Sequence, residues 1–200
     1  MVVQHHAGKS MRSIQRLLSS LRSLFRFLIR NGLMRHNPAS DVRSPKRAKK
    51  KLPEVLTPDD VERLLAFEAL DADASLDLAM LELLYGCGLR VSELISLDLG
   101  HIHWQEKILT VTGKGNKQRR APFGERARRA MLSWLSYRQS FAPKSESALL
   151  VSPRGVRLTT RRVQERVARR GHQQGVRQRV YPHLLRHSYA SHLLESCNDL

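Results

Sequence analysis

The segment PHLLRHSYASHLLES, residues 182–196, follows Tyr181 and opens with a proline, which favours the first position of a helix. Its pattern predicts a helix from His183 to about Ser196. His183 and Arg186 are three residues apart, so both lie on one face of this helix, near its positively polarised N-terminus. An imidazole and a guanidinium placed there indicate a phosphate-binding site.

A second segment, GLRVSEL at residues 88–94, places Arg90 at a helix start beside glycines that permit a close backbone approach. A guanidinium in that position can bind a phosphate through two parallel hydrogen bonds. Glu93 follows three residues later on the same side of the helix. We expect its carboxylate to orient Arg90 or a neighbouring histidine.

A third segment, TGKGNKQRR at residues 112–120, has the glycines of a hairpin turn between two extended runs. Lys114, on a tight turn, can reach into a groove and donate a proton to a leaving oxygen. The turn is weak evidence by itself, because lysines in such turns are mostly solvated, as we expect for Lys117.

The three segments, taken in this order, resemble the tyrosine recombinases, a family that cuts and rejoins DNA. Residues 12–39, RSIQRLLSSLRSLFRFLIRNGLMRHNPA, resemble the later helices of the family's N-terminal core-binding domain, so the resemblance extends through nearly the whole chain. The segment LLRHSYASHLLES is most similar to the bacterial Xer branch. This branch implies a heterotetramer with a XerD-like recombinase, activated by an FtsK-like translocase.

The resemblance also implies a role for each motif residue. Arg90 and Arg186 would neutralise the scissile phosphate, as preorganised donors do. Lys114 would protonate the 5′-oxygen leaving group, His183 would share proton transfer and phosphate positioning, and Glu93 would support them. No metal or cofactor is expected, since guanidiniums take the place of divalent cations.

In the family, a tyrosine then attacks the phosphate and forms a 3′-phosphotyrosyl link. The four tyrosines of this sequence do not follow the family's nucleophile motif; they are Tyr85, Tyr137, Tyr181 and Tyr189. We therefore expect no nucleophile in this sequence, a catalytic domain incomplete at its C-terminus, and a shortened core-binding domain. Such a chain would bind DNA without cleaving it.

The predicted fold is mainly α, with a small antiparallel sheet. Residues 1–37 are expected to form a partial helical, SAM-like core-binding domain, 38–56 a basic linker, and 57–200 the catalytic domain. The sequence predicts a helix from Met11 to Arg30, capped by Ser10, with one apolar face that is buried and one face that carries arginines.

One further helix is predicted to begin at Thr57-Pro58, and a separate helix is predicted to end at Gly86. Two more helices are predicted from Glu125 to Ser140 and from Thr160 to Arg170. Short strands are expected between Gly100 and Pro122. Trp134 is interpreted as a core residue rather than a platform for base stacking.

The charge points to a polyanionic partner, because 35 Lys and Arg against 18 Asp and Glu give a formal net charge of +17. Duplex DNA contacts are predicted for Arg12, Arg16, Lys49, Lys50, Lys117 and Arg119. No stretch approaches the roughly 20 apolar residues of a membrane-spanning helix, and two cysteines without zinc spacing indicate neither a metal nor a disulfide.

Three alternatives share the basic charge or the chemistry of the motifs. A non-catalytic DNA-binding protein derived from a recombinase would not need to keep Arg90, Lys114, His183 and Arg186 together, and all four are present. An RNA-binding protein is disfavoured because a sheet motif of stacking aromatic residues is not evident. A type IB topoisomerase shares the chemistry, but the Xer-like segments favour recombination.

Overall fold

A computed structural model of the protein describes residues 10–43 and 55–198. The chain divides into two compact units, one within residues 1–53 and one within residues 54–200. Lys49 and Lys50 lie outside the described residues. For Arg12 and Lys114 the structure describes the backbone only.

The first unit contains helix α1, Met11–Arg30, whose bounds confirm the prediction. The Ser10 hydroxyl accepts a hydrogen bond from the backbone N–H of Ser13 at 3.2 Å, as an N-cap residue does. At the other end, Asn31 terminates the helix.

The apolar face of α1 is only partly buried. Ile14 and Leu18 are buried, but Leu17, Leu21 and Leu24 are exposed, so the expectation that the whole face buries is wrong. One turn beyond Leu18, the Arg22 guanidinium donates to the carbonyls of Ala39 and Val42 at 2.9 and 2.6 Å, so the segment after the helix folds back beside Arg22. Arg16 is exposed.

The second unit is built from six helices and three short strands among its described residues. They are α2 Pro58–Leu65, α3 Ala72–Gly86, α4 Val91–Ile95, β1 Ile102–His103, β2 Ile108–Thr112, β3 Gln118–Pro122, α5 Glu125–Arg138, α6 Thr160–Gln173 and α7 Pro182–Asn198. The mainly helical class with a small sheet is confirmed. Thr57 caps α2 as predicted, accepting a hydrogen bond from the Asp60 N–H at 3.1 Å.

The three strands form one antiparallel sheet in the order β1-β2-β3. Leu109 of β2 pairs with Ile102 of β1 and with Ala121 of β3. Leu109 and Val111 are buried while the residues between them are only partly covered, which is the period-2 alternation that the sequence predicts. The β2–β3 connection holds a short 3-10 turn, Lys114–Asn116.

Helix α3 forms the centre of the core, packed against α5, α6 and α7. Ten of its residues are buried, because an apolar helix surrounded by neighbours has no solvent face. Trp134 of α5 is 1% exposed, and its indole N–H donates to the Leu149 carbonyl at 2.8 Å. The interpretation of Trp134 as a core residue is confirmed.

Among the described residues, no helix is both long enough and apolar enough to cross a membrane.

Candidate active site

Glu93 is the buried carboxylate around which the predicted site is organised. Its side chain is 1% exposed. Arg90 immediately precedes α4, and its backbone N–H donates to Glu93 Oε2 at 2.8 Å while its Nη1 donates to Oε1 at 2.9 Å. Glu93 thus closes the first turn of its own helix and holds Arg90. The expected contact between Glu93 and Arg90 is present.

Two further guanidiniums approach the same carboxylate from distant parts of the chain. Arg119, on β3, donates from Nη2 to Glu93 Oε2 at 2.9 Å and from Nε to Oε1 at 3.4 Å. Arg186, on α7, has its Nη1 3.9 Å from Glu93 Oε2 and also donates to the Gly88 carbonyl. Arg90, Glu93, Arg119 and Arg186 together are called the Glu93 cluster below.

The Glu93 cluster carries an excess of positive charge. Burial raises the pKa of Glu93, but hydrogen bonds from Arg119 and Arg90 outweigh it and leave that pKa below its ordinary value. Three guanidiniums therefore face one ionised carboxylate. The side chains of Arg90, Arg119 and Arg186 are 50%, 39% and 33% exposed, so they remain open to an anion from solvent.

Arg186 shows the effect of this imbalance. Partial burial lowers its pKa, and the positive charge of Arg90 lowers it further. Like charges held close together repel, so a phosphate that enters between them would relieve the repulsion.

Gly88 brings α7 against the turn that precedes α4. Its φ is +56°, a left-handed conformation that favours glycine. A Cβ at this position would lie 2.4 Å from Cδ1 of Tyr189, so only glycine leaves room for that ring. Because Arg186 donates to the carbonyl of the same glycine, the turn and α7 are joined at the cluster.

The hairpin that carries Lys114 begins beside the same carboxylate. A Cβ on Gly113 would lie 3.7 Å from Glu93 Oε1, which places the base of the turn next to the cluster. Lys117, where the turn ends, is exposed. His183 is exposed on the first turn of α7, three residues before Arg186.

The four tyrosines lie in settings that differ from one another. The Tyr85 hydroxyl is hydrogen bonded to His192 Nδ1 at 2.9 Å, and burial raises the pKa of Tyr85. Tyr137 donates to the Leu70 carbonyl at 3.1 Å. Tyr189 packs on Gly88, and Tyr181 is 38% exposed, just before α7.

Within residues 10–43 and 55–198, no group of three or more His, Cys, Asp or Glu side chains is arranged to hold a metal ion.

Sequence and structural comparisons identify the family. The model of the phage integrase family matches residues 54–200, and the chain therefore belongs to that family. It is 47% identical over 199 residues to the tyrosine recombinase XerC of Alcanivorax borkumensis, covering 98% of this chain and 64% of that protein. The chain thus spans about 64% of the length of that curated relative, and the resemblance to Xer-type tyrosine recombinases is confirmed.

Two solved structures share the fold. The crystal structure of XerA recombinase superposes with a TM-score of 0.66 at 29% identity, covering 88% of this chain and 60% of that one. XerH recombinase, bound to a palindromic difH substrate in a post-cleavage complex, gives a TM-score of 0.77 at 20% identity. That comparison covers 95% of this chain and 58% of XerH.

Proposed function

We propose that the second unit binds duplex DNA and holds one backbone phosphate at the Glu93 cluster, and that the whole protein is a site-specific DNA recombinase. The observation that carries the proposal is the charge of the cluster, three partly exposed guanidiniums around one buried carboxylate. Preorganised donors of this kind stabilise the charge that develops on a phosphate during strand cleavage. Membership of the phage integrase family supports the same activity.

In the proposed reaction, Arg90 and Arg186 neutralise the non-bridging oxygens of the scissile phosphate. Lys114 gives a proton to the 5′-oxygen as the P–O bond breaks, and His183 assists proton transfer and positioning. A tyrosine hydroxyl passes its proton to His183 as its oxygen bonds to phosphorus, and the resulting 3′-phosphotyrosyl link conserves the energy of the broken bond. Rejoining reverses these steps and requires no nucleotide cofactor.

We propose that none of the four tyrosines in this sequence is the nucleophile. The hydroxyls of Tyr85 and Tyr137 are engaged with His192 and Leu70, and the ring of Tyr189 packs on the Gly88 turn. Tyr181 is 38% exposed, but like the other three it does not follow the family's nucleophile motif. The 200 residues alone would therefore bind DNA without cleaving it. The basic residues Arg12, Arg16, Lys49, Lys50 and Lys117 are proposed to add contacts to the DNA backbone.

The relatives are named tyrosine recombinase XerC, and for the whole protein we propose a role in resolving chromosome dimers. We propose that it acts on chromosomal DNA in the cytoplasm during cell division, in a heterotetramer with a XerD-like recombinase and under the control of an FtsK-like translocase. The alternative, a non-catalytic DNA-binding protein derived from a recombinase, shares the DNA contacts but makes no phosphotyrosyl link.

Covalent trapping separates the two proposals. The 200-residue chain is incubated with a nicked, end-labelled recombination-site duplex and run on a denaturing gel, and binding is measured in parallel. We expect binding without an adduct, and an adduct once the C-terminal segment of a XerC relative is appended. An adduct with the 200 residues alone would place the nucleophile among the four tyrosines, and no adduct after the extension would favour the non-catalytic alternative.

A further inference from the structure

We propose that Arg119 is a positioning residue, which ties the β2–β3 hairpin to α4 through Glu93 and thereby sets the place of Lys114 at the phosphate. The inference rests on the proposed function and assigns Arg119 a role other than the direct DNA contact expected from the sequence. It follows from the different hydrogen bonds that Arg119 and Arg90 make with the Glu93 carboxylate.

Of the two guanidiniums, that of Arg119 makes more hydrogen bonds to the Glu93 carboxylate. It reaches both carboxylate oxygens, from Nη2 at 2.9 Å and from Nε at 3.4 Å, as a side-on fork. Arg90 offers its side chain through Nη1 alone and is 50% exposed, against 39% for Arg119. The geometry therefore leaves Arg90 available to an anion and uses Arg119 to hold the carboxylate.

The contact joins two elements that are far apart in sequence. Glu93 belongs to α4, while Arg119 belongs to β3 and pairs with Val111 of β2 in the sheet register. Fixing the Arg119 side chain therefore fixes both strands at the base of the hairpin. The turn is closed above this pair by a hydrogen bond from the Gly113 N–H to the Lys117 carbonyl at 2.8 Å.

Lys114 follows Gly113 directly, so its backbone position depends on this base. A Cβ added to Gly113 would lie 3.7 Å from Glu93 Oε1, so the turn lies beside the carboxylate that holds Arg90. One buried carboxylate thus connects the arginine that binds the phosphate with the turn that carries the proposed proton donor. Without Arg119, the hairpin would lose its only described ion pair to α4.

Arg120 provides the matched control. It is the next residue on β3, carries the same charge, and pairs with the exposed carboxylate of Glu106 instead of Glu93. Its side chain is 65% exposed. Arg120→Gln therefore removes one positive charge from the same strand without touching the buried carboxylate.

Hydrogen exchange read by mass spectrometry tests the tie in the 200-residue chain. We expect Arg119→Gln to raise the exchange rate of amides 113–118 by about tenfold, since a hydrogen bond to a charged group is lost. Arg120→Gln should change it by less than about twofold. Arg119→Lys keeps the charge without the fork and should give an intermediate rate, and exchange of the α3 amides shows that each variant remains folded.

A double-mutant cycle distinguishes action through Glu93 from direct DNA contact. In a Glu93→Gln background, Arg119→Gln should raise hairpin exchange by less than about twofold, because the carboxylate that it would have held is already gone. An undiminished increase in that background, or equal effects of Arg119→Gln and Arg120→Gln, would overturn the proposal.

Duplex DNA binding is measured on the same samples, so that the two proposals can fail separately. If the wild-type chain does not bind DNA, the proposed function fails while the exchange result can still be read. If it binds and Arg119→Gln leaves hairpin exchange unchanged, Arg119 is a phosphate ligand or a bystander, and the positioning role is wrong.

Discussion

Two regions of the second unit each place arginines around a buried carboxylate, but the balance of charge differs between them. The Glu93 cluster sets three arginines around one buried carboxylate. The other region, here called the Asp77 cluster, sets Arg166, Arg169 and Arg170 of α6 around Asp77 and Asp73 of α3. Both buried carboxylates are 1% exposed, so burial of the acid does not distinguish the clusters.

The difference lies in charge balance and in the exposure of the arginines. In the Asp77 cluster a second carboxylate is present, and the side chains of Arg166 and Arg170 are only 13% exposed, while that of Arg169 is 46% exposed. Arg170 also lies over the Phe67 ring, 4.2 Å from its centroid. In the Glu93 cluster there is one acid, and every arginine is at least 33% exposed.

Two pKa shifts of opposite sign record this difference. Although burial lowers the pKa of Arg169, hydrogen bonds and charge from Asp73 and Asp77 raise it above its ordinary value. For Arg186, burial and then the positive charge of Arg90 lower the pKa. The Asp77 cluster holds α3 to α6 with two carboxylates for its three guanidiniums. The Glu93 cluster has one carboxylate for three guanidiniums, and it therefore has more uncompensated positive charge to offer a ligand.

The largest expected effect is on folding at the Asp77 cluster. Asp77→Ala leaves nearly buried guanidiniums without a buried partner and should lower the free energy of unfolding by about 3–5 kcal/mol. Glu93→Ala should cost less, about 1–2 kcal/mol, since its arginines can turn to water. Urea denaturation measures both changes. Equal losses at the two sites would contradict the stronger dependence of folding on the Asp77 cluster.

Gly88→Ala tests how tightly the Glu93 cluster is assembled. The added methyl group meets the Tyr189 ring at a left-handed φ, and we expect a loss of about 1–3 kcal/mol in the free energy of unfolding. Gly175→Ala is the matched control, because its φ is also left-handed, at +68°, and nothing lies within 4 Å of the added carbon. Thermal unfolding of the two variants gives the difference. A loss no greater than that of the control would show that α7 does not press on this turn.

The smallest expected effect is a pH dependence at Glu93. Its folded pKa lies below the unfolded value of about 4.3, so its stabilising contribution is full above that pH and is lost as the pH falls through the folded pKa. The stability difference between wild type and Glu93→Gln should therefore shrink on acidification from about pH 6 to about pH 3. Urea titrations at each pH measure it. A constant or growing difference would contradict the lowered pKa.

Local structure was predictable from the sequence because its determinants are close together along the chain. The Ser10 cap, the Thr57 cap and the contact between Arg90 and Glu93 each join residues three positions apart. The alternating residues of β2 likewise predicted the small sheet, because a two-residue period assigns faces directly.

Contacts between distant residues were not predictable in the same way. Arg119 reaches Glu93 across 26 positions, and Arg166 reaches Asp77 across 89. Both pairs depend on how helices and strands pack, and no local spacing encodes them. The open leucines of α1 have the same origin, since an apolar stripe shows which face is able to bury but not how much of it is covered.

The roles of the two clusters in DNA binding are tested most directly by the salt dependence of duplex binding for Arg90→Gln and Arg170→Gln. A lost phosphate contact lowers affinity and reduces the slope of log K against log salt by about one. We predict that reduction for Arg90→Gln, with an unchanged slope for Arg170→Gln at a temperature where both variants are folded. An unchanged slope for Arg90→Gln, or an equal reduction in both variants, would contradict the assignment of the Glu93 cluster as the phosphate site.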